Sequence, residues 1–446
     1  MTIELESPQT AVIPADRVHE TLSSHILADG FELVLDLRAS HGRTLVDERD
    51  GTSYLDMFGF FASNALGMNH PALAGDEDFL AELAVAALNK PSNSDIYTVE
   101  MARFVDTFAR VLGDQGLPHL FFVDGGALAV ENALKVAFDW KSRHNESHGR
   151  PAELGTKVLH LTGAFHGRSG YTMSLTNTDP VKTARFPKFS WPRIDTPHTF
   201  AGPDLDALEA EALAQAEQAF ADNPHDIACF IAEPIQGEGG DRHLRPEFLA
   251  AMQRLCHAND ALFILDEVQT GVGMTGTTWA FQQLGVQPDV VAFGKKTQVC
   301  GIMAGGRVDE VPDNVFAVSS RLNSTWGGNL TDMVRTRRIL EVIEQDQLVE
   351  RAVPLGAYLL DRLEKLAAAH PDKVSEPRGR GLMCAITLTS PELRDRVVTE
   401  LRESERVLLL GTGEQGIRFR PALTVTEDEL DQAVDALDAV LSRDLG

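Results

Sequence analysis

The chain has 446 residues, 43% hydrophobic and 24% charged, which is the make-up of a folded globular protein and excludes disordered or collagen-like readings. Its 66 acidic against 40 basic side chains leave a net charge of −26, which argues against a surface for nucleic acid or anionic lipid. No apolar run approaches the roughly eighteen residues of a membrane span, so no membrane partner is expected.

The opening residues Met1-Thr2-Ile3-Glu4-Leu5-Glu6 carry acids where a secretory leader carries bases, and a cytoplasmic location is the expectation. Cys229, Cys256, Cys300 and Cys384 are scattered with no CxxC pair, which predicts reduced thiols rather than disulfides or a metal site.

Residues 1–71 mix strand-like runs at 31–37, 44–47 and 53–58 with turn residues, and read as an N-terminal arm and small-domain segment. From 72 to 330 apolar runs at 120–123, 157–161, 227–232, 261–265 and 290–293 alternate with helical stretches such as 129–141 and 205–221. That alternation predicts an α/β large domain with a mostly parallel sheet flanked by helices, and a ligand gathered at the carboxyl ends of its strands. Residues 331–446 read as a separate, smaller α+β domain. It holds a long helical stretch at 332–366 broken or kinked near Pro354, a strand at 382–388 and a last strand and helix within 416–441.

The chemistry collects where these strands end. The runs 261–265 and 290–293 lead into Asp266 and into the pair Lys295-Lys296. An acid and a lysine at neighbouring strand ends are what pyridoxal 5'-phosphate requires: the lysine for the cofactor aldehyde, the acid to keep the pyridine nitrogen protonated. Upstream, Asp124-Gly125-Gly126-Ala127 ends a strand and opens a helix, a start whose free N–H groups suit a phosphate, although a glycine pair after a strand is more often a tight turn. Phe165-His166-Gly167-Arg168 places at a third strand exit an aromatic able to stack on a planar group and a guanidinium able to take a carboxylate, although a packed core Phe and a surface Arg are the plainer readings of the segment alone. Glu233-Pro234-Ile235-Gln236-Gly237-Glu238 brings two acids to a fourth, where a solvated loop is the plainer reading of the segment alone.

Together with Asp266-Glu267-Val268-Gln269-Thr270-Gly271, Ser324-Thr325-Trp326-Gly327-Gly328-Asn329 and Arg418-Phe419-Arg420-Pro421, these motifs closely resemble the class-III (subgroup II) pyridoxal phosphate aminotransferases of fold type I, from near Phe31 to the end of the chain. The resemblance implies Lys295, rather than Lys296, as the Schiff-base lysine and Asp266 as the partner of the pyridine nitrogen. It implies Gly126 and Ala127 at the phosphate, Phe165 and Val268 against the ring, and Gln269 near the phenolic oxygen and the substrate. Thr325, and Asn323 beside it, resemble residues that reach the neighbouring subunit's site, which implies a homodimer with shared active sites.

Within the family the chain is most similar to the branch that acts on the distal amine of L-lysine with 2-oxoglutarate as acceptor. The similarity is carried by Asn89-Lys90-Pro91-Ser92-Asn93-Ser94-Asp95, by Arg321-Leu322-Asn323, and by Thr297-Gln298-Val299-Cys300, where acetylornithine and ornithine enzymes have a glycine-rich run. Arg418 then resembles the α-carboxylate arginine, Glu238 the acid that covers it while a distal amine reacts, and Arg168 the binder of the remote carboxylate. Arg420 is a rival for Arg418, with a structural ion pair as its plainer role. An ω-aminotransferase for ornithine, 4-aminobutyrate or a diamine is the alternative within the family, and a non-catalytic scaffold the alternative outside it.

Overall fold

The computed structural model describes residues 13–202 and 204–444. The acidic stretch 1–6 lies outside the described residues.

The strands, in chain order, are β1 (Thr44–Val46), β2 (Ser53–Asp56), β3 (His119–Val123), β4 (Lys157–Leu161), β5 (Arg193–Ile194), β6 (Ile227–Ala232), β7 (Ile235–Gln236) and β8 (Arg242–His243). They continue as β9 (Leu262–Asp266), β10 (Val290–Phe293), β11 (Cys300–Ala304), β12 (Val374–Arg380), β13 (Met383–Leu388), β14 (Val407–Leu408), β15 (Leu410–Thr412) and β16 (Gly416–Phe419). Seven of them form the central sheet in the order β3-β11-β10-β9-β6-β4-β5. Every residue of β6, β9, β10 and β11 is buried, as expected of strands covered by helices on both faces. One cover is the helix Gly126–Ser147, which buries Ala129, Ala133, Leu134, Val136, Ala137 and Trp140.

The sheet is mostly parallel, with one insertion that the sequence reading passed over. β11 runs antiparallel to both β10 and β3, and the two reversals leave β3 parallel to the rest. Its residues follow the lysine pair so closely that only the sheet distinguishes them from a loop. Gly301 is required there, because a Cβ would lie 2.2 Å from the Phe121 carbonyl oxygen.

Two expectations need correction. Residues 31–37 form no strand beyond the isolated bridge of Leu35 to Asp47. Asp36 accepts the N–H groups of Arg38 and Ala39 instead, closing a turn that ends any ladder. The long C-terminal helical stretch is indeed two helices, Leu330–Gln345 and Leu348–Ala369, yet the break lies at Gln347, whose φ is +51°, and not near Pro354. Pro354 lies inside the second helix.

Segments far apart in the chain, at 44–56 and 407–408, meet. β14 pairs in parallel with β2, which pairs with β1, so the N-terminal and C-terminal segments share one sheet. A four-stranded sheet, β12-β13-β16-β15, packs against the helices Leu348–Ala369 and Pro391–Glu403 and carries Arg418 on β16. All four cysteines are buried and unpaired. Among the described residues no helix is long and apolar enough to cross a membrane.

Candidate active site

A cavity of about 490 Å³ opens at the carboxyl ends of the central strands. Nine of the residues singled out from the sequence line it: Gly126, Ala127, Phe165, Arg168, Glu238 and Asp266, with Val268, Gln269 and Lys295. Arg418 stands directly behind Glu238, whereas Asn323 and Thr325 do not line the cavity and are exposed.

Register brings the acid and the lysine together. Asp266, the last residue of β9, lies opposite Ala292 of β10, and Lys295 follows one turn beyond that strand in a left-handed conformation, φ +55°. The buried Asp266 carboxylate accepts a hydrogen bond from His166 Nδ1 at 2.8 Å and from the Val268 N–H at 3.1 Å. Burial works against charge on His166, but the Asp266 carboxylate outweighs it and raises the imidazole above its ordinary range. Glu233 accepts the N–H groups of Phe165 and Gly237, and burial pushes its carboxyl up to about 7.

The neighbouring lysines part company. Lys295 faces the cavity, where burial first and then the Arg418 charge hold its ammonium below the usual lysine range. Lys296 is enclosed on the other side and donates to the carbonyl oxygens of Gln269, at 2.9 Å, and Ala62, at 3.3 Å. Burial pushes it down to about 7. Glu267 is likewise turned away from Asp266 and holds the N–H groups of Ala280 and Phe281.

The helix Gly126–Ser147 presents its amino end to the cavity with no side-chain cap and no acid in its first turn. Free N–H groups and the helix dipole make that end an anion site. Gly125 takes φ +101°, a backbone conformation that favours glycine, and a Cβ on Gly126 would come within 3.1 Å of the Val268 side chain, a close approach that favours glycine there.

At the other end, Glu238 Oε2 accepts from Arg418 at 2.9 Å, and Glu238 Oε1 accepts from Lys182 Nζ at 2.5 Å. Burial opposes the charge on Glu238, but these two cations hold its carboxyl below the usual range. Arg420 is fully buried, paired with Asp241 and donating to Gln269 Oε1 at 2.9 Å, so the structure gives it the ion-pair role. Arg168 is exposed at the cavity wall.

His166, Glu233 and Lys182 were not assigned roles from the sequence. The first two lie inside motifs already singled out. Lys182 lies on a four-residue helix, Pro180–Thr183, in a stretch without periodicity, and only the fold brings it to Glu238.

Residues 28–441 match the family described as Aminotransferase class-III. The chain is 66% identical over 429 residues to the L-lysine-epsilon aminotransferase of Mycobacterium tuberculosis (strain ATCC 25618 / H37Rv), covering 96% of this chain and 95% of that one. It is 58% identical over 449 residues, 99% of each chain, to the L-lysine-epsilon aminotransferase of Amycolatopsis lactamdurans. A solved structure of lysine aminotransferase from M. tuberculosis in the internal aldimine form is similar with a TM-score of 0.95 at 66% identity, covering 96% of this chain and 99% of that one. With its mostly parallel seven-stranded sheet and these relatives over nearly its whole length, the chain belongs to the class-III aminotransferases, pyridoxal phosphate enzymes of fold type I.

Proposed function

We propose that the protein is an L-lysine 6-aminotransferase, moving the ε-amino group of L-lysine to 2-oxoglutarate. The observation that carries this reading is the Glu238–Arg418 pair on the wall of the cavity that holds Lys295 and Asp266. An acid covering the α-carboxylate arginine suits a donor that presents its distal amine, and relatives at 58–66% identity bear the lysine-epsilon aminotransferase name.

The residues fit pyridoxal 5'-phosphate, which when bound supplies an aldehyde for the substrate amine and an electron-accepting ring. The uncapped helix start at Gly126 and Ala127 would hold its phosphate, Phe165 and Val268 its ring, Asp266 its pyridine nitrogen and Gln269 its phenolic oxygen. Asp266 keeps its carboxylate ready for that nitrogen because His166 donates to it from a buried position. Lys295 lines the cavity, and its lowered proton affinity suits it to take the proton from the amine-bearing carbon of the substrate.

Arg168 takes the carboxylate remote from the reacting carbon, that of lysine in one half-reaction and the side-chain carboxylate of glutamate in the other. Glu238 neutralises Arg418 while lysine reacts and releases it to the α-carboxylate of the dicarboxylate. The products are 2-aminoadipate 6-semialdehyde, which cyclises to a piperideine carboxylate, and L-glutamate. With one site serving both donors, the kinetics are ping-pong.

The same reading makes the enzyme a homodimer with shared sites. The loop 323–328, with Asn323 and Thr325, is tied to residues 92–94 through Ser92, Asn93 and Ser94. Beside that junction Leu88, Ile96, Tyr97 and Val99 are exposed, a concentration of apolar surface suited to a second copy. A cytoplasmic location suits four buried, unpaired thiols.

The test is a panel of amino donors with 2-oxoglutarate, detecting the cyclised product with an aminobenzaldehyde reagent. L-lysine should be the best donor. Ornithine or 4-aminobutyrate well above lysine would overturn the substrate assignment and favour another ω-aminotransferase.

A further inference from the structure

The pairing of Glu238 with Lys182 has a place in the exchange of substrates. Glu238 is bridged: one carboxylate oxygen meets Arg418, which is almost fully buried, and the other meets Lys182, which is a quarter exposed. Lys182 lies at the border between two spaces. One is the cavity of Lys295 and Asp266; the other, of about 610 Å³, is walled by Lys182, Glu238, Gly239 and Arg242 among others. Lys182 also stands over the Phe165 ring, 5.6 Å from its centre.

Releasing Arg418 to a dicarboxylate means moving the Glu238 carboxylate away from the charge that holds it. A half-buried carboxylate moved to a place without a cation would be strongly disfavoured, and the gate would stay shut. The second space gives the carboxylate somewhere to go, and Lys182 gives it a cation there. We propose that Lys182 is the positioning residue that receives Glu238 when it leaves Arg418, so that Lys182 sets how readily the site accepts 2-oxoglutarate and glutamate. This rests on the two-substrate reading above. Removing the lysine leaves Glu238 with Arg418 alone, which favours the lysine-accepting arrangement and opposes the other.

Lys182→Met and Lys182→Arg, made in the holoenzyme, test this through the two half-reactions measured separately. A parallel calorimetric titration uses glutarate, a dicarboxylate that cannot transaminate. Lys182→Met should raise KM for glutamate and 2-oxoglutarate by about tenfold or more with little change in kcat, and weaken glutarate similarly, while leaving the lysine half-reaction within about threefold. Lys182→Arg should recover most of the loss, which a generally disordered site would not do. Unchanged dicarboxylate KM and glutarate affinity in Lys182→Met overturns the proposal. So do equal losses in both half-reactions, or failure of Lys182→Arg to rescue. If the unmutated enzyme takes no amino group from lysine, it is the underlying substrate reading that fails.

Discussion

Lys295 and Lys296 are adjacent in the chain and differ in everything that matters for chemistry. Lys295 faces the cavity, while Lys296 is sealed behind it with its ammonium on two carbonyl oxygens. Lys295→Ala should therefore lower transamination by about a thousandfold or more, the range for losing a positioned base and nucleophile, whereas Lys296→Met should keep the activity within about tenfold. Borohydride trapping of the cofactor on the protein would report the same contrast, and trapping that persists in Lys295→Ala would refute the assignment. Lys296 also predicts a pH dependence of stability. Folding lowers it from 10.5 to about 7, so across that interval the unfolded chain binds the extra proton and stability rises with pH. Lys296→Met should lack this rise when melting is followed from neutral to alkaline pH; parallel curves for the two proteins would contradict it. For Glu238→Ala, exposing Arg418 should cost the lysine half-reaction about tenfold or more in kcat/KM and spare the glutamate half-reaction. Equal losses in the two would remove the gate from the mechanism.

Elements, in turn, place these residues through a few close approaches. The helix Leu348–Ala369 meets the turn between β12 and β13 at Gly356, where a Cβ would sit 2.1 Å from the Gly381 carbonyl oxygen. Gly381 itself, at φ +54°, lies against the backbone of Met274 and Thr275, in the chain that leads on from Asp266 and Gln269. This contact links the C-terminal sheet that carries Arg418 to the segment that follows Asp266 and Gln269. Gly356→Ala forces backbone apart and should destabilise the protein by about 3 kcal/mol, read as a clear drop in melting temperature. Melting at the temperature of the parent would mean that the helix slides away without cost. Most elements were legible because burial dictates their pattern: β4, β6 and β10 lie at the residues where the apolar runs place them. β11 was not, since an antiparallel insertion between two parallel strands is a property of pairing and leaves no periodicity in so short a run. The helix break was misplaced because a proline can be carried inside a helix, while Gln347 turns left-handed without any sequence mark.

At the scale of the whole molecule, the exposed apolar group of Leu88, Ile96, Tyr97 and Val99 beside the 323–328 loop predicts association. The chain should sediment at about twice its own mass, and Tyr97→Glu should both weaken the dimer and reduce activity. A fully active monomer would sink the shared-site reading of Asn323 and Thr325. The sequence by itself determined the class of the fold and which strand-end residues gather in one cavity. Alternating apolar strands and helices imply a parallel sheet, and residues at strand ends such as Asp266, Lys295, Gly126 and Phe165 need only that sheet to converge. The resemblance already preferred Lys295 to Lys296 and Arg418 to Arg420, but only the tertiary structure decided which way each of these side chains points. It alone brought Lys182 to Glu238, across 56 residues of chain. Charge pairs between distant segments are set by where packed elements place them, and no local pattern of residue types encodes that placement.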